Sequence, residues 1–250
     1  KKNLVEYFRR QKLIGSEIHN FSKKLWKINR SITGEGFRET LSEIKKILPN
    51  LNVKSVPSGT KVFDWIVPSE WHVSEAYIIS PEGEKICDFT TNNLHLVGYS
   101  IPFRGRMKLE KLQQYLHSLP EQPNAIPYIT SYYKERWGFC LTQEQRDLLE
   151  DGEYEVVVNS KLFEGQLNYG ELVLPGESDQ EIFLSTYICH PSMANNELSG
   201  PTVATYLAKW LSELKTKRYT YRFVFIPETI GSIAYLSKNY VNLKKKVIAG

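Results

Sequence analysis

The sequence predicts an α/β fold, a mostly parallel sheet with flanking helices, interrupted by an inserted, mostly β domain. Two observations carry this. From Leu167 onward, apolar runs of strand length alternate with segments of helical periodicity, the pattern of a parallel sheet joined by crossover helices. Between about Lys61 and Gly165, short β-type runs alternate instead with turns rich in Gly, Pro and Asn. The expected division is residues 1–60 with 166–250 as the α/β domain, incomplete at its C-terminal end, and 61–165 as the insert.

Taken in order, Ile18, Phe21, Leu25 and Ile28 recur at spacings of three and four. They put one apolar stripe on a helix that Ser16 is placed to cap. Thr33-Gly34-Glu35-Gly36 breaks that helix. Phe37, Leu41, Ile44 and Leu48 mark the inner face of a second, which Pro49-Asn50 ends. In the insert, 76–79 and 153–158 are strand runs, and 109–117 is one helix. Aromatic residues crowd this region, among them Trp71, Tyr99, Tyr132 and Trp137. Large rings commonly fill small β cores, so packing is preferred over a stacking platform for a ligand.

Beyond the insert, 167–174 and 181–188 (EIFLSTYI) read as strands on either side of a turn at 175–179. Residues 201–214 form an amphipathic helix with Val203, Tyr206, Leu207, Trp210, Leu211 and Leu214 expected to face inward. Residues 221–226 (YRFVFI) are another strand and 232–240 another helix, and 247–250 reads as the opening of a further strand.

Composition excludes several classes. At 250 residues the chain can bury a core. The net charge of +4 is small and its signs are interspersed, so the run Lys244-Lys245-Lys246 is a solvated surface and no nucleic-acid partner is expected. No apolar run is long enough to span a bilayer and no signal peptide is recognisable, so no membrane association is expected. Cys87, Cys140 and Cys189 are far apart and outside CxxC spacing, which argues against a disulfide framework and a cysteine zinc site. Three reduced thiols in a cytoplasmic protein are the expectation. The oligomeric state is not readable.

In open α/β sheets ligands bind at the carboxyl ends of strands. Two such ends carry polar clusters: Cys189 to Gly200 (CHPSMANNELSG) after EIFLSTYI, and Pro227 to Ser232 (PETIGS) after YRFVFI. A histidine directly after a buried strand and a carboxylate in the next turn can converge on one metal ion, zinc taking imidazole nitrogen and carboxylate oxygen. Glu228, from the neighbouring strand end, is placed to act as general base. Each residue also has a plainer role. A lone strand-end histidine is more often hydrogen-bonded structure, Asn195, Asn196 and Ser199 could cap the next helix, and Glu228 could pair with a lysine.

These segments resemble the zinc aminopeptidase superfamily. Within it, the runs VPSEWHVSEAYI, NNLHLVGYS, PYITSYYKERWGFCL, CHPSMANNELSGP and IPETIGSIAYL are similar to an aminopeptidase-like branch described as associated with polysaccharide biosynthesis. The resemblance runs from Ile18 to Leu236. It implies a zinc-exopeptidase-like sheet, with His190 as the first metal-binding histidine and Glu228 as the general base. Asn196 falls at the metal-bridging aspartate, Thr229 at the second glutamate, and Ser192 at the aspartate that orients the histidine. His190, Glu197 and Asn196 are thus the candidate ligands, Glu197 being preferred because an amide is a poor zinc ligand. The superfamily's later ligands would lie beyond Gly250. The implied function is a zinc-dependent hydrolase of a small peptide or amide. The alternatives are a catalytically degenerate binding module, or an amide-modifying enzyme of surface-polysaccharide precursors.

Overall fold

The computed structural model describes residues 2–250, with side chains described from residue 13 onward. The chain forms two compact units, one made of residues 1–67 with 166–250 and the other of 68–165.

The first unit is built on a five-stranded sheet. Its strands stand in the order Asn52–Pro57, Gln166–Leu174, Thr220–Ile226, Glu181–Tyr187 and Val247–Ala249. The first two pairings are antiparallel and the last two parallel, so the sheet is mixed where the sequence suggested a mostly parallel one. The reason lies in one connection. Only residues 175–180 join Gln166–Leu174 to Glu181–Tyr187, and a parallel crossover needs a dozen residues or more. The chain therefore has to reverse direction there.

Two true crossovers follow. Helix Ser199–Glu213 links Glu181–Tyr187 to Thr220–Ile226, and helix Ile230–Lys246 carries the chain past Glu181–Tyr187 to Val247–Ala249. The crossovers step in opposite directions across the sheet, which puts their helices on opposite faces. On one face, helix Glu35–Ile47 buries Phe37, Leu41 and Ile44. A Cβ on Gly170 would meet the tip of Leu41 at 2.9 Å, so a larger residue there would have to push this helix's leucine aside. On the other face Tyr235, from helix Ile230–Lys246, packs edge-on against Tyr169 and tilted against Phe183.

That second face also buries an ion cluster which the apolar reading of YRFVFI did not expect. Arg222 forks onto Glu181, Nε to Oε2 at 2.6 Å and Nη2 to Oε1 at 2.9 Å. Its Nη1 donates to Glu171 at 2.7 Å, and Glu171 also accepts from Tyr235 at 2.6 Å and from Lys54. Strand alternation explains the set, because Glu171, Glu181 and Arg222 all point to the same side of neighbouring strands.

Helix expectations needed three corrections. Ser16 lies inside helix Lys2–Trp26 and does not cap it. Residues 109–117 hold one turn of α-helix, Leu109–Leu112, then a 3-10 turn and the two-residue strand Leu116–His117. On helix Ser199–Glu213 the buried face is Pro201, Thr202, Thr205, Ala208 and Leu211, while Val203 and Trp210 are each 53% exposed. Small residues let this helix lie close to its neighbours, and counting only large apolar residues rotated the predicted stripe away from them.

The second unit centres on a four-stranded antiparallel sheet in the order Lys85–Ile86, Glu70–Ile79, Glu153–Phe163 and Phe103–Lys108. Trp71, Tyr99, Trp137 and Phe139 are core, as expected, while Tyr133 is 55% exposed. Trp137 stacks on Tyr115 at 4.1 Å and on Phe103 at 4.3 Å, and Trp71 stacks on Tyr99. Among the described residues no helix is long and apolar enough to cross a membrane.

Arg222→Met should destabilise the first unit by about 3–5 kcal/mol in urea denaturation, because it leaves the buried Glu171 and Glu181 carboxylates without their cation. Burial works against ionised Glu171, but Lys54, Tyr235 and Arg222 outweigh it and hold its carboxyl below the ordinary carboxylate range. Its contribution is complete above the unfolded pKa of about 4.3 and is lost as pH falls through the lower folded value. Acid titration of the midpoint should show this loss in the native protein and not in Glu171→Gln.

Candidate metal centre

The parallel register Tyr187↔Ile226 makes two strands end level, and the N–H of Ile188 extends their ladder by one bond to the carbonyl of Ile226 (3.1 Å). Both chains then leave the sheet side by side. Cys189 and His190 follow on one, Pro227 and Glu228 on the other. The backbone N–H of Glu228 donates to Cys189 Sγ at 3.2 Å, tying the two exits together. His190 Nε2 comes to 3.0 Å from Glu228 Oε1.

Each exit is bent. Thr229 has φ 50° and ψ −84°, a strained γ-turn-like conformation for a β-branched residue. The turn is tight enough that a Cβ on Gly231 would meet Pro227 at 2.5 Å. On the other exit Ser192 has φ 41°, and its hydroxyl donates to the carbonyl of Trp26 at 3.1 Å. Ser192 thus anchors the loop to the end of the first helix.

Glu197 arrives from a π-helical turn, Ala194–Leu198, that leads into helix Ser199–Glu213. Such turns are rare and frequent at functional sites. Here Ala194, Asn195 and Asn196 face out while Glu197 turns in, with 0% of its side chain exposed. Its Oε1 lies 3.6 Å from His190 Nε2 and 3.8 Å from Cys189 Sγ, and its Oε2 is buried with no hydrogen-bond partner among the described residues. Asn196 is exposed and bonds to Tyr187, whose ring lies 6.0 Å from that of His190. The structure therefore brings together His190, Glu197 and Glu228, leaves the Asn196 side chain exposed, and adds Cys189.

Arg30 holds this arrangement from below. It is buried, donating Nε to the carbonyl of His190 at 3.0 Å and Nη1 to that of Leu25 at 2.6 Å. Burial pulls its guanidinium down to about 10 against the opposing charges of Glu197 and Cys189, so it remains a cation at neutral pH. Burial likewise raises the Glu197 carboxyl to about 7, although His190 and Arg30 pull it back. The Cys189 thiol is pushed well up, first by burial and then by Glu197. No sequence signal marked Arg30, a loop arginine after a helix. Cys189 had one, its place beside His190, which cysteine spacing does not register.

One ligand atom from each of Cys189, His190 and Glu228 lies within 4.8 Å of the others, a grouping that could hold a metal ion. Imidazole nitrogen, carboxylate oxygen and sulfur are the donors zinc takes. Glu197 Oε2, buried beside this grouping without a hydrogen-bond partner among the described residues, fits the same conclusion.

A mixed sheet with helices on both faces and a polar cluster at adjoining strand ends is the fold of the zinc aminopeptidases. A zinc aminopeptidase from Bacillus subtilis shares it at TM-score 0.60 and 12% identity, over 94% of this chain and 66% of that one. More specifically, the chain belongs to the family described as Domain of unknown function (DUF4910), whose model matches residues 19–250. It is 52% identical, over 96% of its length, to a Clostridium acetobutylicum protein named for polysaccharide biosynthesis and an aminopeptidase-like domain. A crystal structure from C. acetobutylicum described as a peptidase matches at TM-score 0.93 and 49% identity over 98% of the chain. The chain spans 55% and 58% of the lengths of these two relatives.

Arg30→Met should cost about 2–4 kcal/mol in chemical denaturation, since it removes two charge-assisted bonds and leaves the buried carbonyls of Leu25 and His190 without these donors. A loss under about 0.5 kcal/mol, the size of an ordinary surface change, would show that the loop is held by other contacts.

Proposed function

We propose that this chain carries the metal-binding half of a zinc-dependent, aminopeptidase-like hydrolase acting on a small peptide or amide. One observation supports this most: a buried histidine nitrogen faces two carboxylates, one of which has a fully buried, unpartnered oxygen. His190 and Glu197 would hold the ion. Bound zinc supplies a water of lowered pKa and polarises the scissile carbonyl.

The chain's own groups fit distinct tasks. Glu228 is 33% exposed where His190 and Glu197 are buried, so it is the carboxylate that substrate and water can reach. It takes the proton as general base and can return it to the leaving amine. Arg30, bonded to the His190 carbonyl, fixes the loop that presents the imidazole. Asn196 and Thr229 stand where the superfamily has further carboxylate ligands, so a single ion is the expected loading. A second reading rests on the name of the C. acetobutylicum relative. If the substrate belongs to polysaccharide synthesis, the amide cleaved is that of an acylated amino sugar.

Protein purified without chelators should hold about one zinc per chain, and His190→Ala should lose it while keeping its fold. Full metal content in His190→Ala would remove the site. Glu228→Gln should keep the zinc and lower hydrolysis of peptide or acylamide substrates by about 10²–10⁴-fold. Unchanged turnover in that variant would rule Glu228 out as the base.

A further inference from the structure

We propose that Cys189 is itself a ligand of this centre, making it a Cys–His–Glu site that favours zinc over magnesium or calcium. The inference rests on the reading that the site holds a metal ion, and goes beyond it by assigning a sulfur donor.

The geometry sets Cys189 apart from the other two thiols. Cys87 and Cys140 are buried in the second unit, where neither falls in a metal-capable cluster of described residues. Cys189 Sγ instead stands 3.7 Å from His190 Nδ1 and 3.8 Å from Glu197 Oε1, and accepts the Glu228 backbone N–H at 3.2 Å. An N–H aimed at sulfur is the kind of outer contact that supports a coordinated thiolate. Glu197 Oε2 provides an independent sign, because it is wholly buried beside the sulfur and accepts no hydrogen bond among the described residues.

The end of the ladder explains how sulfur reaches the site, because strand alternation, which would turn Cys189 and His190 to opposite sides, no longer holds there. Ile188 still belongs to the ladder, whereas Cys189 is the first residue beyond it, where the chain turns toward the Glu228 exit. On coordination the thiol proton leaves to solvent and the sulfur lone pair binds the ion. Thiolate, imidazole and the Glu197 carboxylate, whose Oε1 lies 3.8 Å from the sulfur and 3.6 Å from His190 Nε2, would supply three protein ligands of the kind a catalytic zinc site takes. Sulfur also accounts for selectivity, since oxygen-preferring ions gain little from it. The loss of the superfamily's bridging carboxylate at Asn196 then has a local replacement.

Cobalt(II) loading reads this directly. The wild-type protein should show visible d–d bands of a low-symmetry site together with a near-ultraviolet sulfur-to-cobalt charge-transfer band. Cys189→Ala and Cys189→Ser should lose the charge-transfer band, keep d–d absorption, and bind cobalt at least ~10–100-fold more weakly, the loss typical of an outer-shell contact alone. Visible bands without charge transfer in wild type would overturn the Cys189 assignment and leave the metal reading intact. So would a charge-transfer band that survives in the variants. No cobalt spectrum at all would sink both. If the variants do not fold, zinc X-ray absorption on the wild-type protein decides the matter by a sulfur scatterer at about 2.3 Å, present or absent.

Discussion

Everything in the first unit that matters for chemistry hangs on one pairing. Glu181–Tyr187 and Thr220–Ile226 run parallel and in register to their last residues, Tyr187 opposite Ile226. Parallel neighbours place like ends together, so whatever follows each strand emerges at the same edge of the sheet. A slip of two residues would move Glu228 about 6–7 Å along the strand, beyond contact with His190. A slip of one would also turn Arg222 to the wrong face, away from Glu171 and Glu181. The same register therefore assembles the candidate metal centre at the strand ends and the ion cluster in mid-sheet. Each discourages the slips that would destroy the other.

The two buried arginines do different work. Arg222 sits between two carboxylates and is fully neutralised, its guanidinium held above its ordinary range by Glu181, whose hydrogen bonds outweigh burial. Arg30 bonds to carbonyls, and its charge faces Glu197 and Cys189 only at a distance. Burial depresses it for that reason. A cation under the loop with no carboxylate of its own makes the ligand shell less negative than its side chains suggest. It also steadies Glu197 without competing for the oxygen that faces inward.

How much of this was legible depends on which physical signal each feature leaves. The α/β class and the strands 167–174, 181–188 and 221–226 follow from runs and neighbours along the chain, whereas singling out His190, Glu197 and Glu228 leans on the family resemblance. The reversal at Pro175–Gln180 was legible too, had loop length been weighed against the crossover requirement. What escaped was non-local. Nothing near Arg30 in sequence says that it will lie under His190, 160 residues away. The inward face of Ser199–Glu213 escaped because Thr202, Thr205 and Ala208 bury little apolar area, yet permit a close approach that Trp210 would prevent.

Three irregularities of backbone meet where chemistry is proposed. In the first unit Phe63 has positive φ in the short hairpin at 61–66, but Ser192 and Thr229 also have positive φ, and Ala194–Leu198 between them in sequence winds as a π turn. Each is unfavourable locally, and a strained non-glycine residue costs of order 1–3 kcal/mol. Packing alone gives no reason to keep three such distortions within one loop cluster, since regular turns would close the same sheet. Their common effect is directional. The bend at Thr229 follows directly on Glu228, the bend at Ser192 ties the His190 loop to Trp26, and the π turn rolls Glu197 inward while Asn196 stays in solvent. Distortion that aims three side chains at one point is what a ligand-binding site requires of its backbone, and the sheet beneath supplies the rigidity to sustain it.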